Sequence, residues 1–169
     1  KYPQDGTVVP WHQDAQYWPL TPHKTVTVWL ALYDADESNA AMQVVRASHR
    51  RGELQHHGVE GDRYVLNQQV DHECIDPKDV VTLNLNAGEI SLHDDGLLHG
   101  SGPNHSDRIR CGLTMRFCPT DVKCDLNVWP AFEAYLARGT DAFQHNPTGK
   151  VPTGEGFPVR KFQHSSDFQ

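Results

Sequence analysis

The sequence predicts a mainly β domain, a sandwich or barrel of short strands. Short runs are rich in β-branched and aromatic residues. Turn-forming residues separate them, as in Ser38-Asn39, Asn86-Ala87-Gly88 and Gly100-Ser101-Gly102-Pro103-Asn104. Helical periodicity is almost absent, which favours a sandwich or barrel over packed helices.

Taken in chain order, residues 25–32 (Thr-Val-Thr-Val-Trp-Leu-Ala-Leu) form the clearest strand, and 42–45, 80–85, 89–93 and 110–117 share its character. The stretch 50–79 is charged, histidine-containing and weakly patterned, and reads as a long loop or lid. Composition shifts near Pro119. Residues 131–138 after Pro130 predict a short helix, and 149–158 a Pro/Gly-rich coil that wraps the surface. A chain of 169 residues can bury roughly two thirds of its unfolded surface. The expectation is therefore one domain over 1–169, with 1–119 as barrel core and 120–169 as a C-terminal wrap.

Strand parity sharpens this picture. Arg110, Gly112, Thr114 and Arg116 leave one face of their strand, and Cys111, Leu113, Met115 and Phe117 the other. Thr25, Thr27, Trp29 and Ala31 likewise oppose Val26, Val28, Leu30 and Leu32. The apolar face belongs against a cover. The mixed face suits either solvent or the lining of a polar cavity.

Composition excludes several function classes. The formal charge of -7 repels a polyanion and argues against nucleic acid as a partner. No window approaches the roughly 20 apolar residues of a membrane helix, and mean hydropathy is -0.62. Cys74, Cys111, Cys118 and Cys124 form no Cys-x-x-Cys pair and read as reduced thiols, which suits a cytoplasmic location. The first residues show neither an apolar leader nor an initiator Met, so the chain reads as beginning inside a longer protein. Oligomeric state has no readable signal.

Eleven histidines stand out, because imidazole is the commonest metal ligand and a proton shuttle. In Trp11-His12-Gln13-Asp14, His12 and Asp14 leave the same face of an extended segment. With His99 they make two imidazoles and one carboxylate, the facial set of non-haem Fe(II) oxygenases. Eleven residues after His99 stands Arg110, whose guanidinium can pair bidentately with a carboxylate. Arg116 shares its strand face and would suit an anionic substrate, while Tyr17 and Trp18 read as packing or as a pocket wall. His93-Asp94-Asp95 is a second His-x-Asp and reads as a strand end beside the site. His56, His57 and His72 read as solvated. The His-Glu-x-x-His of a zinc hydrolase is absent.

The pieces Pro10-Trp11-His12-Gln13-Asp14, Val28-Trp29, Leu98-His99-Gly100-Ser101-Gly102-Pro103-Asn104 and Asp107-Arg108-Ile109-Arg110 resemble the phytanoyl-CoA dioxygenase family of Fe(II)/2-oxoglutarate oxygenases. The resemblance runs from residue 9 to about residue 119 and more loosely to residue 157. It implies a double-stranded β-helix, or cupin-like jelly roll. It implies iron on His12, Asp14 and His99, and 2-oxoglutarate on Arg110 with Trp29, Ser101 and Gln13 nearby. The implied reaction couples O2 and 2-oxoglutarate to hydroxylation of a small-molecule C–H bond, releasing succinate and CO2. Retention of Asp14 favours hydroxylation over halogenation, since related halogenases put a small residue there. Desaturation is a further outcome open to the same scaffold. The reading from a different class is a catalytically silent, cupin-like metal- or ligand-binding domain. Family members usually carry a longer N-terminal segment, so the chain is expected to lack part of the cover over its apolar sheet face.

Overall fold

A computed structural model describes residues 1–150 and Thr153. Among these residues the regular elements are eleven strands and short 3₁₀ turns. The strands are β1 (Val9–His12), β2 (Leu20–Thr21), β3 (Val26–Ala31), β4 (Gln43–Val45), β5 (His56–Gly58), β6 (Gln68–Val70), β7 (Val80–Thr82), β8 (Ile90–Asp94), β9 (His99–Ser101), β10 (Gly112–Phe117) and β11 (Lys123–Cys124). The order β1-β9-β4-β7 makes one antiparallel sheet and β10-β3-β8 a second. Two small sheets, β11-β2 and β5-β6, flank them. The two main sheets enclose a cavity, the arrangement of the expected jelly roll.

The parity argument is realised in the central strand. Thr27, Trp29 and Ala31 of β3 are buried, and Val26, Val28 and Leu30 face outward. Opposite them, Arg116 pairs with Thr27, Thr114 with Trp29 and Gly112 with Ala31. The mixed face is therefore the cavity face. Ala31 and Trp29 pack with Ala35, Ala41, Met42 and Val44 into one core cluster, while Val45, Val70 and Leu98 form another. The outward face keeps the exposed apolar character that parity predicts: Leu92 is 63% exposed and Ile90 52%, with Leu113 and Phe117 beside them.

Three expectations need correction. Residues 131–138 are not helical. The Ala134 amide donates to the Pro147 carbonyl, and the Gly149 amide donates to Ala134, both at 2.8 Å, so the segment spends its hydrogen bonds across the chain. The Tyr135 ring lies where a Cβ on Gly149 would stand, 2.4 Å from its Cζ, which fixes this docking. Helix propensity yields to tertiary pairing here. Residues 50–79 are not a plain loop, since they contain the β5-β6 hairpin. The strand expected over 80–85 stops at Thr82, and Leu85 instead forms a lone bridge with Ala35. Most of the coil expected over 149–158 lies outside the described residues.

Gly112 sets the packing of the cavity floor. A Cβ there would fall 2.2 Å from Cζ2 of Trp29, so the indole occupies the space a side chain would take. Gly112→Ala is expected to destabilise the fold by about 1–3 kcal/mol through overpacking. Urea unfolding of variant and wild type measures this, and an unchanged midpoint would contradict the packing account.

Candidate active site

The site is built where the two main sheets meet. Between β1 and β9 the register changes: Val9 faces Ser101, but His12 faces His99, so β1 carries one extra residue. Such a bulge re-aims side chains, and here it sets the two imidazoles side by side with ring centroids 4.2 Å apart. The chain stays extended at Gln13 and then turns, so Asp14 opens a 3₁₀ turn rather than continuing the strand. That turn carries the carboxylate back over the histidines. Potential ligand atoms of His12, Asp14 and His99 all lie within 4.8 Å of one another, and all three residues are buried.

Each histidine is fixed in one tautomer. Nδ1 of His12 lies 2.8 Å from the Pro10 carbonyl and Nδ1 of His99 lies 2.8 Å from the Leu97 carbonyl. A carbonyl only accepts, so both Nδ1 atoms carry the proton and both Nε2 lone pairs are free for a metal. Burial pushes His99 down to about 3, reinforced by the neighbouring His12, so its imidazole is neutral and available as a ligand. Asp14 shows the opposite balance. Burial works to raise its carboxyl, but the imidazoles of His12 and His93, the proximity of His99 and the Thr27 hydroxyl outweigh it and hold it well below the usual carboxylate range.

The two oxygens of Asp14 have different duties. Oδ1 faces the imidazoles, 3.6 Å from His12 Nε2 and 3.9 Å from His99 Nε2. Oδ2 accepts a hydrogen bond from Thr27 Oγ1 at 2.9 Å and lies 3.6 Å from His93 Nε2. One oxygen is left for a metal while β3 and β8 position the other. Thr27 and His93 were the site residues hardest to assign from sequence. Parity placed Thr27 on the mixed face, and His93 stands beside the triad as its motif suggested.

Tyr17, Trp18, Trp29, Ser101, Arg110 and Arg116 line a cavity of about 630 Å³ together with the triad. The loop at Val65, Leu66 and Asn67 supplies a wall that no sequence signal marked. Arg110 lies over the Trp29 ring, 5.6 Å from its centroid, a cation–π distance. Burial lowers its guanidinium pKa, yet an arginine remains charged. Its Nε and the Ser101 hydroxyl are both buried without a hydrogen-bond partner. Two orphaned polar groups on one cavity are what a carboxylate ligand would satisfy.

Gln13 is not brought to this cavity. Its Nε2 donates to the carbonyls of Gly52 and Gly96, at 2.9 and 2.7 Å, and its Oε1 accepts from the Leu54 amide at 2.8 Å. Its own amide donates to His56 Nε2 at 3.1 Å, so His56 is structural rather than merely solvated. Asp95 completes the anchoring. Its carboxylate accepts from the Thr25 amide at 2.9 Å, and its carbonyl accepts from the Ala15 amide at 3.0 Å. Gln13→Ala is expected to cost about 3 kcal/mol of stability, from three lost hydrogen bonds and their stranded partners. Chemical denaturation reads this, and a loss below 1 kcal/mol would contradict the anchoring role.

With this geometry in hand, comparisons place the chain among known proteins. The family model described as phytanoyl-CoA dioxygenase (PhyH) matches residues 1–112. A curated relative from Stutzerimonas stutzeri, a probable alpha-ketoglutarate-dependent hypophosphite dioxygenase, is 32% identical over 76% of this chain and 43% of its own. Among solved structures, the non-heme monooxygenase ThoJ superposes with a TM-score of 0.72 at 30% identity, over 89% of this chain and 54% of its own. EvdO2 from Micromonospora carbonacea var. aurantiaca, solved with 2-oxoglutarate, gives 0.60 at 28% identity over 69% of this chain and 47% of its own. The chain thus spans about half the length of these proteins. Among the described residues no helix is long and apolar enough to cross a membrane. The match over residues 1–112, which contain the bulged strand, the His-x-Asp turn, the distal histidine and the arginine, shows that the chain belongs to the phytanoyl-CoA dioxygenase family.

Proposed function

We propose that the chain carries the site of an Fe(II)- and 2-oxoglutarate-dependent dioxygenase that hydroxylates an unactivated C–H bond of a small molecule. The observation that supports this most is the pairing of a buried His-Asp-His donor set with orphaned Arg110 and Ser101 groups on one cavity. The relatives point the same way, one named for alpha-ketoglutarate dependence and another solved with 2-oxoglutarate.

The donor set fits a divalent transition metal. Two neutral imidazoles and one carboxylate, grouped on one side, leave coordination positions open to the cavity. His12, Asp14 and His99 would hold Fe(II). Arg110 would pair with the distal carboxylate of 2-oxoglutarate, with Ser101 donating to it and the Trp29 indole as the floor. When bound, iron and cosubstrate supply the oxidation, in which O2, 2-oxoglutarate and a C–H compound give succinate, CO2 and the hydroxylated product. The chain orients and shields that chemistry. Thr27 fixes the Asp14 oxygen turned away from His12 and His99, and Tyr17 and Trp18 on the cavity wall would limit water there. Asp14 keeps the position that a halide would need, which supports hydroxylation over halogenation. The four free cysteines suit a reducing compartment such as the cytoplasm.

Anaerobic Fe(II) and 2-oxoglutarate are expected to give a weak visible charge-transfer band, with succinate formed once air is admitted. No band and no succinate would favour the silent binding-domain reading. His12→Ala and His99→Ala are expected to lose the band and turnover, whereas Arg110→Ala should raise the 2-oxoglutarate dissociation constant at least tenfold while retaining metal. Isothermal titration separates the two effects, and an unchanged affinity would remove Arg110 from its role.

Metal should also stabilise the fold. A ligand bound only by the native state adds about 2.7 kcal/mol at a hundredfold excess over its dissociation constant. Thermal unfolding with Mn(II) as a redox-inert probe should show a raised midpoint that Asp14→Ala abolishes.

A further inference from the structure

Arg110 is one of two guanidinium groups on the triad cavity; the other is Arg116. The strand register places Arg116 directly opposite Thr27, the residue whose hydroxyl holds Asp14. Its guanidinium lies over the Trp18 ring, 4.8 Å from the centroid. Glu133 and Asp141 line the adjoining cavity that Arg116 also borders. No described carboxylate forms an ion pair with Arg116. An arginine is thus presented on a flat aromatic support, exposed at the cavity wall and paired in register with the residue that hydrogen-bonds Asp14.

Charge balance shows what is missing. With the site filled as proposed, the positive charges are those of Fe(II), Arg110 and Arg116, and the negative charges those of Asp14 and the dianion 2-oxoglutarate. Among the groups lining the triad cavity one positive charge is then left over, that of Arg116. His12 and His99 do not alter the count when they act as neutral ligands. Arg116 is exposed on this wall, and a planar guanidinium recognises an oxyanion by two parallel hydrogen bonds.

We propose that Arg116, stacked on Trp18, recognises an anionic group of the substrate, a carboxylate or a phosphorus oxyanion, and thereby sets which C–H bond faces the triad. This deepens the oxygenase reading and rests on it. The substrate class is then a small organic monoanion, bound by its head group at Arg116 while its carbon skeleton occupies the space between Trp18, Tyr17 and the wall at Val65 to Asn67. Stacking on Trp18 limits the rotamers of Arg116, so little side-chain freedom remains to be lost on binding. Arg116 also borders a second cavity, of about 830 Å³ and lined by Leu20, Phe117, Phe132 and Leu136, which gives longer skeletons room to extend.

The test uses two homologous series, straight-chain monocarboxylates and alkylphosphonates, each compared with the neutral primary amide of the same length. Binding is read anaerobically as a shift of the visible Fe(II)/2-oxoglutarate band and by calorimetry. Turnover is read as succinate formed above the substrate-free rate. Members of at least one anionic series are expected to shift the band and stimulate succinate formation, and the series that does so separates carboxylate from phosphorus recognition. The matched amides should do neither. Arg116→Gln should raise the half-saturating anion concentration at least tenfold without raising that of 2-oxoglutarate, and Arg116→Lys should recover part of the loss. The proposal is overturned if amides act as well as anions, if neither anionic series acts, or if Arg116→Gln weakens 2-oxoglutarate instead. Failure of the oxygenase reading looks different, because wild type would then show no band before any probe is added.

Discussion

Everything at this site depends on the Asp14 carboxylate being held from two sheets at once. One oxygen looks toward His12 and His99 on the β1-β9 pair, and the other accepts the Thr27 hydroxyl from the opposite sheet. A carboxylate buried without partners would take up a proton, and a protonated Asp14 would be a poor metal ligand. The surrounding imidazoles and the hydroxyl keep it charged. Correct docking of the sheets is therefore also the condition for a competent donor set, so fold and metal affinity are coupled.

The fold was largely legible because its signals are local. Alternation over residues 25–32 and 110–117 gave the strands and separated the mixed face, with Thr27, Trp29 and Arg116, from the apolar one. The triad was legible because two of its members lie two residues apart and the third sits in a turn-flanked strand. What remained hidden depends on long-range contact. Residues 131–138 have the composition of a helix, but the partner that unwinds them, the segment at Pro147 to Gly149, carries no mark of that pairing in sequence. The role of Gln13 was misread for the same reason. A glutamine between two ligands resembles a site residue until its amide is seen to be spent on Gly52, Leu54 and Gly96.

The cavity divides its polar work by depth. Half-buried Arg110 and buried Ser101 carry unsatisfied groups, on a floor set by Trp29 and by the missing side chain of Gly112. Arg116 sits further out, on the wall shared with the second cavity. Two guanidinium groups thus stand at different exposures on one cavity wall. The outward face of β10-β3-β8, by contrast, is apolar and exposed over Ile90, Leu92, Leu113 and Phe117, and takes no part in this division.

The tether at Gln13 limits where such a scaffold can diversify. Loops over a pocket are the usual place for new specificities to arise, because they tolerate insertion and exchange. Here the loop at Gly52 and Leu54 is bonded to the residue that separates His12 from Asp14, so changing its course disturbs the spacing of the metal ligands. A lineage varying that loop would disturb the His12-Asp14 spacing before it reshaped the cavity. Innovation is thereby steered to the walls free of the tether, the segment at Val65 to Asn67 and that around Trp129, where a sequence can drift without disturbing the donor set.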